Sequence, residues 1–298
     1  MKWIILYRDA LEKTAVSTQE MLKVHDLEAT ILPIQKVTDL EDEDTNFLLK
    51  NATHCVLFDN SLLLEDNTAF FYGYLVGKVK RFYSLTNEWS KNMEFFNNVF
   101  LFSGEDALCK ALEKQLVTIK EEEKTRDAFS NLFNDGIPYT ADCFALYINK
   151  GKLDVCQRFI DAGISINCRT EDGTPMLNVA IRAEQEECVN WILNHNVDID
   201  AVSNDRGYSA VMDAVWKNNL ELTKVLIERG ANLNFTSRDG QSVLVLAVGA
   251  GNYEICKLLA EAGADPDIKD QMGMSALEYA NLFGKKDIAQ VLQKYHKA

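Results

Sequence analysis

Several features that mark common functional classes are missing from this sequence. No stretch approaches the roughly 18 consecutive apolar residues of a membrane-spanning helix, and the apolar run that follows Met1 is too short for a signal peptide. None of the seven cysteines forms a C-x-x-C pair, which disfavours zinc binding and redox chemistry and favours buried, reduced thiols in a cytoplasmic protein. The G-x-G-x-x-G and Walker phosphate-binding loops are also absent.

Positive charge is scarce relative to negative charge. The 298 residues include 31 Lys and Arg against 45 Asp and Glu, which gives a formal net charge of −14, and no run of Lys or Arg is present. Such a field repels phosphate groups and argues against nucleic acid or anionic membranes as partners. The length suggests two domains, or one repeat array with a companion domain.

The second half of the chain repeats with a period of about 33 residues. A glycine opens each copy of one phrase, at Gly173, Gly207, Gly240 and Gly273. Each phrase ends in a small alanine that lets neighbouring helices approach closely, at Ala180, Ala214, Ala247 and Ala280. Each unit is predicted to contain two helices, the first of which would be capped by Ser209, Ser242 or Ser275. The period predicts a stacked array of about five units over residues 138–298.

The repeat unit resembles that of the ankyrin repeat family. The family motif runs Gly-x-Thr-Pro-Leu-His-x-Ala and later Gly-Ala-Asp-x-Asn, and the chain carries Gly263-Ala-Asp-Pro-Asp267 and Gly230-Ala-Asn-Leu-Asn234 at the second part. The histidine position instead holds Asn178, Met212, Val245 and Glu278. Because ankyrin histidines bridge neighbouring turns, this departure predicts a less regular array.

The ankyrin resemblance implies protein binding through the hairpin tips and the concave face of the first helices, without catalysis by the repeats. Matching the units gives the candidate contact residues Arg169, Arg182, Arg206, Tyr208, Trp216, Lys217, Arg238, Met272, Met274 and Phe283. Trp, Tyr and Arg are the usual interface anchors, so Tyr208 with Trp216 is the strongest prediction. The alternative is that Trp216 packs against Phe235 or the next repeat.

Residues 1–123 alternate short apolar runs with longer helical patterns. The predicted strands are Trp3–Tyr7, Ala29–Ile34, Cys55–Phe58, Arg81–Leu85 and Val99–Phe102, and the predicted helices are Ala10–His25, Asp44–Asn51, Thr68–Val79 and Glu105 to about Glu123. This alternation predicts an α/β fold, with a parallel sheet covered on both sides in a Rossmann-like or flavodoxin-like domain. Ligands bind beyond the carboxyl ends of such strands. The candidate ligand-binding residues are therefore Tyr7, Arg8, Asp9, Asp59, Asn60, Asn67 and Thr68.

The N-terminal part also resembles the nucleoside 2-deoxyribosyltransferase family over about residues 1–120. The motifs that carry this resemblance are Val56-Leu-Phe-Asp59, Asn67-Thr-Ala-Phe-Phe-Tyr-Gly-Tyr74 and Gly77-Lys-Val-Lys80. The resemblance implies that Asp59 helps to bind a nucleoside. It also aligns the nucleophilic glutamate of the family with Phe71, and a phenyl ring cannot form the covalent glycosyl intermediate.

These patterns divide the chain into an α/β domain (1–123), a helical junction (124–137) and the repeat array (138–298). Our leading hypothesis is a cytoplasmic interaction module or scaffold that binds another protein and whose N-terminal domain is non-catalytic, with no cofactor, metal or catalytic residue. Two alternatives stay open. One is an enzyme that acts on the N-glycosidic bond of a nucleoside or nucleotide, with Glu65 or Asp66 as the displaced carboxylate and the array as its targeting module. The other is a nucleotide-sensing adaptor.

Overall fold

The computed structural model describes residues 2–37, 43–59, 72, 74–86 and 96–296. The chain divides into two units, Met1–Glu123 and Lys124–Ala298, and each unit has its own hydrophobic core. Within the described ranges, no helix is long and apolar enough to cross a membrane.

The N-terminal unit is built around a parallel sheet. Its strands are β1 (Lys2–Tyr7), β2 (Glu28–Pro33), β3 (His54–Phe58), β4 (Arg81–Leu85) and β5 (Val99–Phe102). They lie in the order β2-β1-β3-β4-β5, and every pairing is parallel. The parallel sheet predicted from the sequence is therefore confirmed. The order also means that the chain passes from one side of β1 to the other between β2 and β3.

Helices cover both faces of this sheet. Those with described bounds are α1 (Glu12–Val24), α2 (Ile34–Val37), α3 (Glu43–Asn51) and α4 (Glu105–Asn134), and residues 74–78 are also helical. Side chains alternate along a strand, so β1 sends Trp3 and Ile5 to one face and Ile4 and Leu6 to the other. The first pair packs against α1 and α4, and the second pair packs against α3 and the helical residues 74–78.

One predicted element of this unit has a different end in the structure, and another falls partly outside the described residues. The second strand was predicted to include Ile34, but it ends at Pro33, and Ile34 begins α2. Proline has no N–H group with which to continue a strand ladder, which accounts for the earlier end. The predicted helix Thr68–Val79 lies partly outside the described residues, at 68–71 and 73, whereas residues 72 and 74–78 are helical as predicted.

The second unit contains five helix pairs among its described residues. In chain order they are α5 (Ala141–Asn149) with α6 (Leu153–Asp161), α7 (Met176–Arg182) with α8 (Glu186–Leu193), α9 (Ala210–Trp216) with α10 (Leu220–Glu228), α11 (Val243–Ala250) with α12 (Tyr253–Glu261), and α13 (Ala276–Leu282) with α14 (Lys286–Gln293). We call the first member of each pair the inner helix and the second the outer helix. The repeated alanines are fully buried where successive inner helices meet, for example Ala214 and Ala247.

Serine side chains cap two of the three inner helices for which we predicted a cap. Ser242 accepts a hydrogen bond from the N–H of Val245, and Ser275 accepts one from the N–H of Glu278 in a complete capping box. The prediction is wrong for Ser209, whose side chain makes no capping bond. Its hydroxyl is buried and has no hydrogen-bond partner among the described residues. Helix α9 therefore begins without the side-chain cap that the other two helices have.

Polar side chains connect successive units at the loops that follow the outer helices. The N–H of Asp198 donates to Oδ1 of Asn167 at 2.8 Å, and the N–H of Asn232 donates to Oδ1 of Asp200 at 2.8 Å. The N–H of Asp265 repeats the bond with Oδ1 of Asn234 at 2.9 Å. The departure from the histidine motif does not abolish bridging between units, because Asn178 Nδ2 donates to the carbonyl of Tyr208 at 3.1 Å.

Candidate functional site

A groove of about 410 Å³ opens along the inner helices α9, α11 and α13. Its lining includes Trp216, Val245, Leu246, Gly249, Ala250 and Phe283. Val245 and Leu246, from the middle helix α11, are nearly buried. No residue of α11 carries a charge. We call this feature the inner groove.

Small residues in the middle unit create the inner groove. The period of 33 makes Trp216, Gly249 and Leu282 equivalent, and it aligns Ala250 with Phe283. Helix α11 therefore ends in two small residues at the place where its neighbours carry large ones. Trp216 remains 56 % exposed and Phe283 53 % exposed, since no side chain of the middle unit fills the space. The groove thus follows from a local contrast in side-chain size between equivalent positions.

An arginine covers the aromatic end of the groove. The guanidinium of Arg206 lies 5.5 Å from the ring centroid of Trp216 and 5.8 Å from that of Tyr208. The two rings meet edge to face at 6.3 Å, a favourable aromatic arrangement. The expectation that Tyr208 is an exposed anchor is wrong, because its side chain is only 6 % exposed. Tyr208 instead supports Trp216 from below, and burial raises the pKa of its hydroxyl.

Arg182, another predicted contact residue, is held in a partly buried network between two units. Its Nε donates to Asp213 at 2.9 Å, and its other nitrogens donate to Asp205 and Ser203. Asn178 donates to the same Asp213 oxygen at 2.7 Å. Burial raises the pKa of Asp213, and these two donors oppose that effect. Arg182 therefore stabilises the stack, and only part of its side chain faces solvent.

Two more predicted contact residues bond to a neighbouring unit through their side chains, while the side chain of a third is exposed to solvent. Arg169 Nη1 donates to the carbonyl of Gly173 and to that of Val202, which lies 33 residues further along the chain. Lys217 forms an ion pair with Glu184 at 2.7 Å. Arg238 is exposed, and its guanidinium makes no hydrogen bond or ion pair with the described part of the chain.

The far end of the inner groove is formed by the last unit. The Tyr279 hydroxyl donates to Asp270 at 2.7 Å, and the Tyr279 ring stacks on that of Phe283 at 5.6 Å. Met272, a predicted contact residue, is 79 % exposed, while Met274 is half-buried. An ordered aromatic pair therefore closes this end.

The sequence prediction missed the floor of the groove. It selected large and charged residues, whereas the groove depends on Gly249 and Ala250, which have almost no side chain. The available signal was the alignment of these two residues with Trp216 and Phe283 in the neighbouring units.

The N-terminal unit carries a polar cluster where β1 and β3 end. Arg8 follows β1 and Asp59 follows β3, and the Arg8 Nε donates to Asp59 Oδ1 at 2.6 Å. The Tyr72 hydroxyl donates to Oδ2 of the same carboxylate at 3.0 Å. Asp59 is fully buried, and burial together with this carboxylate raises the pKa of the Tyr72 hydroxyl. Arg8 and Asp59 were both predicted as ligand-binding residues beyond the strand ends, whereas Tyr72 was not among the candidates.

The other candidate ligand-binding residues divide into two groups. The Tyr7 hydroxyl points to Glu12 at 3.5 Å, and Asp9 accepts a hydrogen bond from Gln35 at 3.3 Å. The remaining predictions lie outside the described residues, namely Asn60, Asn67, Thr68 and the nucleophile position Phe71. In the part of the chain that the structure describes, no group of three or more His, Cys, Asp or Glu side chains could hold a metal ion.

Five stacked helix pairs joined by loops define a helical repeat protein. The family model described as "Ankyrin repeats (3 copies)" matches residues 143–237 and 212–298, which together make up more than half of the chain. The chain belongs to the ankyrin repeat family.

Two relatives and one solved structure are similar to parts of the chain. An ankyrin repeat-containing protein of Treponema pallidum (strain Nichols) is 28 % identical over 248 residues, which cover 82 % of this chain and 83 % of the relative. That span is longer than Lys124–Ala298, so the alignment extends into the N-terminal unit. The B-cell lymphoma 3 protein homolog of Mus musculus is 33 % identical over 81 residues, which cover 27 % of this chain and 18 % of the relative. The crystal structure of the ankyrin repeat domain of Bcl-3, a member of the IkappaB protein family, is similar with a TM-score of 0.47 and 27 % identity, and the match covers 51 % of this chain and 67 % of that domain.

Proposed function

We propose that this protein is a protein-interaction module whose inner groove binds a segment of another protein. The observation that carries this proposal is the open apolar groove between two exposed aromatic side chains, Trp216 and Phe283. Ankyrin repeats bind proteins, and stacked repeats in general use the extended surface of the array for binding.

The composition of the groove suits an interface better than a catalytic site. Its residues offer aromatic anchors and an uncharged floor, and neither Trp216 nor Phe283 has an acid–base or nucleophilic function. Tryptophan carries an unusually large share of binding energy at interfaces, and it does so in pockets that exclude water. The support that Tyr208 and Arg206 give to Trp216 holds the indole in one place, which lowers the entropy cost of binding.

Affinity capture from the source cells tests this proposal. Trp216→Ala and Phe283→Ala should each reduce recovery of a specific partner by about tenfold, the effect of losing one moderate interface anchor. Tyr253→Ala is the matched control, because Tyr253 is a 39 % exposed aromatic residue at the start of the outer helix α12. Equal recovery with all three variants would rule out the inner groove as the binding surface.

A second candidate function concerns the N-terminal unit, where we propose a small-molecule site at the Asp59 cluster. The supporting observation is a fully buried carboxylate bonded to Arg8 and Tyr72 between β1 and β3. The strand order 2-1-3-4-5 is that of flavodoxin-like folds, which bind their ligands at this switch between neighbouring strands. The resemblance to nucleoside 2-deoxyribosyltransferases suggests a nucleoside or nucleotide as the ligand.

Thermal-shift titration separates the alternatives for this second site. A nucleoside that binds the folded state must raise the melting temperature, and Asp59→Asn should abolish that rise. Release of a free base during the titration would favour the enzyme over the sensing adaptor. A flat titration at about 1 mM ligand, which excludes dissociation constants well below that concentration, would reject nucleoside binding.

A further inference from the structure

Two exposed arginines lie at adjoining loop tips beside the inner groove. The N–H of Arg238 donates to the carbonyl of Arg206 at 3.0 Å, so their side chains start from neighbouring points of the backbone. The guanidinium of Arg206 lies over Trp216, one of the two aromatic side chains that bound the groove.

Within the described residues, neither Arg206 nor Arg238 forms an ion pair. Other cations of the same units do pair, since Arg182 contacts Asp213 at 2.9 Å and Lys217 contacts Glu184 at 2.7 Å. The sequence has 45 acidic residues against 31 basic ones, so carboxylates are abundant. Arg206 and Arg238 are therefore two arginines on adjoining backbone segments that have no carboxylate partner among the described residues.

Three carboxylates lie close to the two arginines, and two of them are already bonded to Arg182. Asp239 follows Arg238 in the chain and is exposed. Burial is the main cause of the raised pKa of the Tyr208 hydroxyl, and the negative charge of Asp239 adds to it. Asp205 precedes Arg206 and accepts hydrogen bonds from Arg182 with both of its oxygens, and Asp213 is bonded to Arg182 and Asn178 in the interior. Asp239 is therefore the one of these three carboxylates that forms no ion pair within the described residues.

A third cation stands at the opposite end of the inner groove. Lys285 Nζ lies 5.8 Å from the ring centroid of Phe283 and donates to the carbonyl of Val248 at 2.6 Å. The groove therefore combines an uncharged floor, from α11, with a cation over an aromatic ring at each end.

We propose that the inner groove takes an apolar segment of a partner protein that is flanked by Asp or Glu residues. This inference rests on the proposed binding role of the groove and specifies the chemistry of the partner. The apolar side chains of the segment fill the space above Gly249 and Ala250. Its carboxylates pair with Arg206 and Arg238, whose planar forks suit bidentate bonds to a carboxylate.

The charge of the whole chain makes this recognition short-ranged. A net charge of −14 opposes the approach of an acidic segment, and this repulsion is screened beyond about 8 Å at physiological salt. The two arginines act only at contact, where the partner and the aromatic rings exclude water and strengthen their attraction. An acidic segment without an apolar anchor should therefore not bind.

Panning of a phage-displayed random 12-residue peptide library on the 298-residue chain tests the proposal. The enriched peptides should contain an aromatic or large aliphatic residue with at least two Asp or Glu residues nearby. Their affinities are then measured by fluorescence polarisation on the wild type, on Trp216→Ala, and on the double variant Arg206→Glu with Arg238→Glu. The milder Arg206→Gln with Arg238→Gln pair, checked by circular dichroism, serves if charge reversal disturbs folding.

The proposal predicts a loss of at least tenfold in affinity with either double variant and with Trp216→Ala. It also predicts that a peptide with Lys in place of its acidic residues binds the charge-reversed variant better than the wild type. The acidic specificity would be overturned if charge reversal changed the affinities by less than twofold, or if basic or neutral peptides were enriched. In that case groove binding would still stand, provided that Trp216→Ala abolishes binding. Peptides insensitive to Trp216→Ala would overturn groove binding as well.

Two remaining outcomes also count against the proposal. If panning enriches no peptide, the acidic-segment inference is rejected. If sedimentation velocity detects a dimer of the wild type that Trp216→Ala abolishes, a second copy of this chain occupies the groove instead.

Discussion

Replacing Arg182 by Met should destabilise the repeat array by about 3 kcal/mol. The side chain of Asp213 is 2 % exposed and that of Arg182 is 27 % exposed, so the substitution leaves a buried carboxylate without its cation. Removing one partner of a buried pair costs about 3–5 kcal/mol. We expect the lower end of that range because Asn178 still donates to Asp213 and because Arg182 is partly hydrated in the wild type.

Urea unfolding followed by circular dichroism measures this effect. With a slope of about 2 kcal/mol per molar urea, the midpoint of the array transition should fall by about 1.5 M. The double variant Arg182→Met with Asp213→Leu should recover most of the loss, since an apolar pair of similar volume replaces the buried ions. Lys217→Met, which breaks an exposed pair with Glu184, is the matched control and should leave the midpoint in place.

The pH dependence gives an independent check of the cause. Burial holds the pKa of Asp213 above its usual value, so the folded state binds this proton more readily than the unfolded state. Stability linked to this group is therefore present at low pH and is lost as pH rises through the folded-state pKa. Without Arg182 the pKa rises further, and the deficit of the variant should be largest at neutral pH and shrink towards about pH 4. A deficit below about 1 kcal/mol, or one independent of pH, would refute this reasoning.

Three further predictions concern the packing of the array. Ala247→Asp should destabilise the array by about 4 kcal/mol, because Ala247 is fully buried and a carboxylate there finds no partner. Thermal unfolding measures this effect, and an unchanged melting temperature would refute the assigned register of the repeats. Ser275→Ala should lower the free energy of unfolding in urea by about 1 kcal/mol, because it removes a capping box. Ser209→Ala should lower it by less than about 0.5 kcal/mol, because that hydroxyl has no partner among the described residues. Equal losses for the two variants would contradict this account of the caps. Gly207→Ala should destabilise the array more than Gly273→Ala, although both glycines have positive φ. The reason is that a Cβ at Gly207 would lie 2.9 Å from the backbone of the next unit, whereas a Cβ at Gly273 would meet nothing within 4 Å. Differential scanning calorimetry of the two variants tests this order.

Much of the fold could be predicted from periodic patterns, because these report which face of an element is buried. The glycine spacing and the repeated alanines predicted the stacked helix pairs, and the apolar runs predicted the parallel sheet. The meeting of Arg8 and Asp59 was also foreseeable, since parallel strands end at the same edge. Tyr72 could not be assigned to this cluster, because the rotation of its helix about its own axis is set by tertiary packing.

The details of the inner groove were harder to predict for a different reason. Tyr208 resembles an exposed anchor by position, but Trp216 and Arg206 cover its ring, which only the three-dimensional arrangement of three side chains reveals. Asp213 occupies a repeat position that holds the apolar residues Val179 and Leu246 in the neighbouring units. A carboxylate at a position that is otherwise apolar could have suggested a cation packed beside it. Its partner Arg182 is 31 residues away, close to one repeat period.

Site-specific photo-crosslinking in the source cells tests the central claim most directly. The photoreactive amino acid p-benzoylphenylalanine would replace Phe283 at the inner groove in one variant and Tyr253 on the outer helix α12 in another. Our account predicts that the Phe283 position yields a discrete crosslinked protein, that Trp216→Ala in the same chain abolishes this product, and that the Tyr253 position does not yield it. The same product from the Tyr253 position alone, or from both positions regardless of Trp216→Ala, would contradict the account.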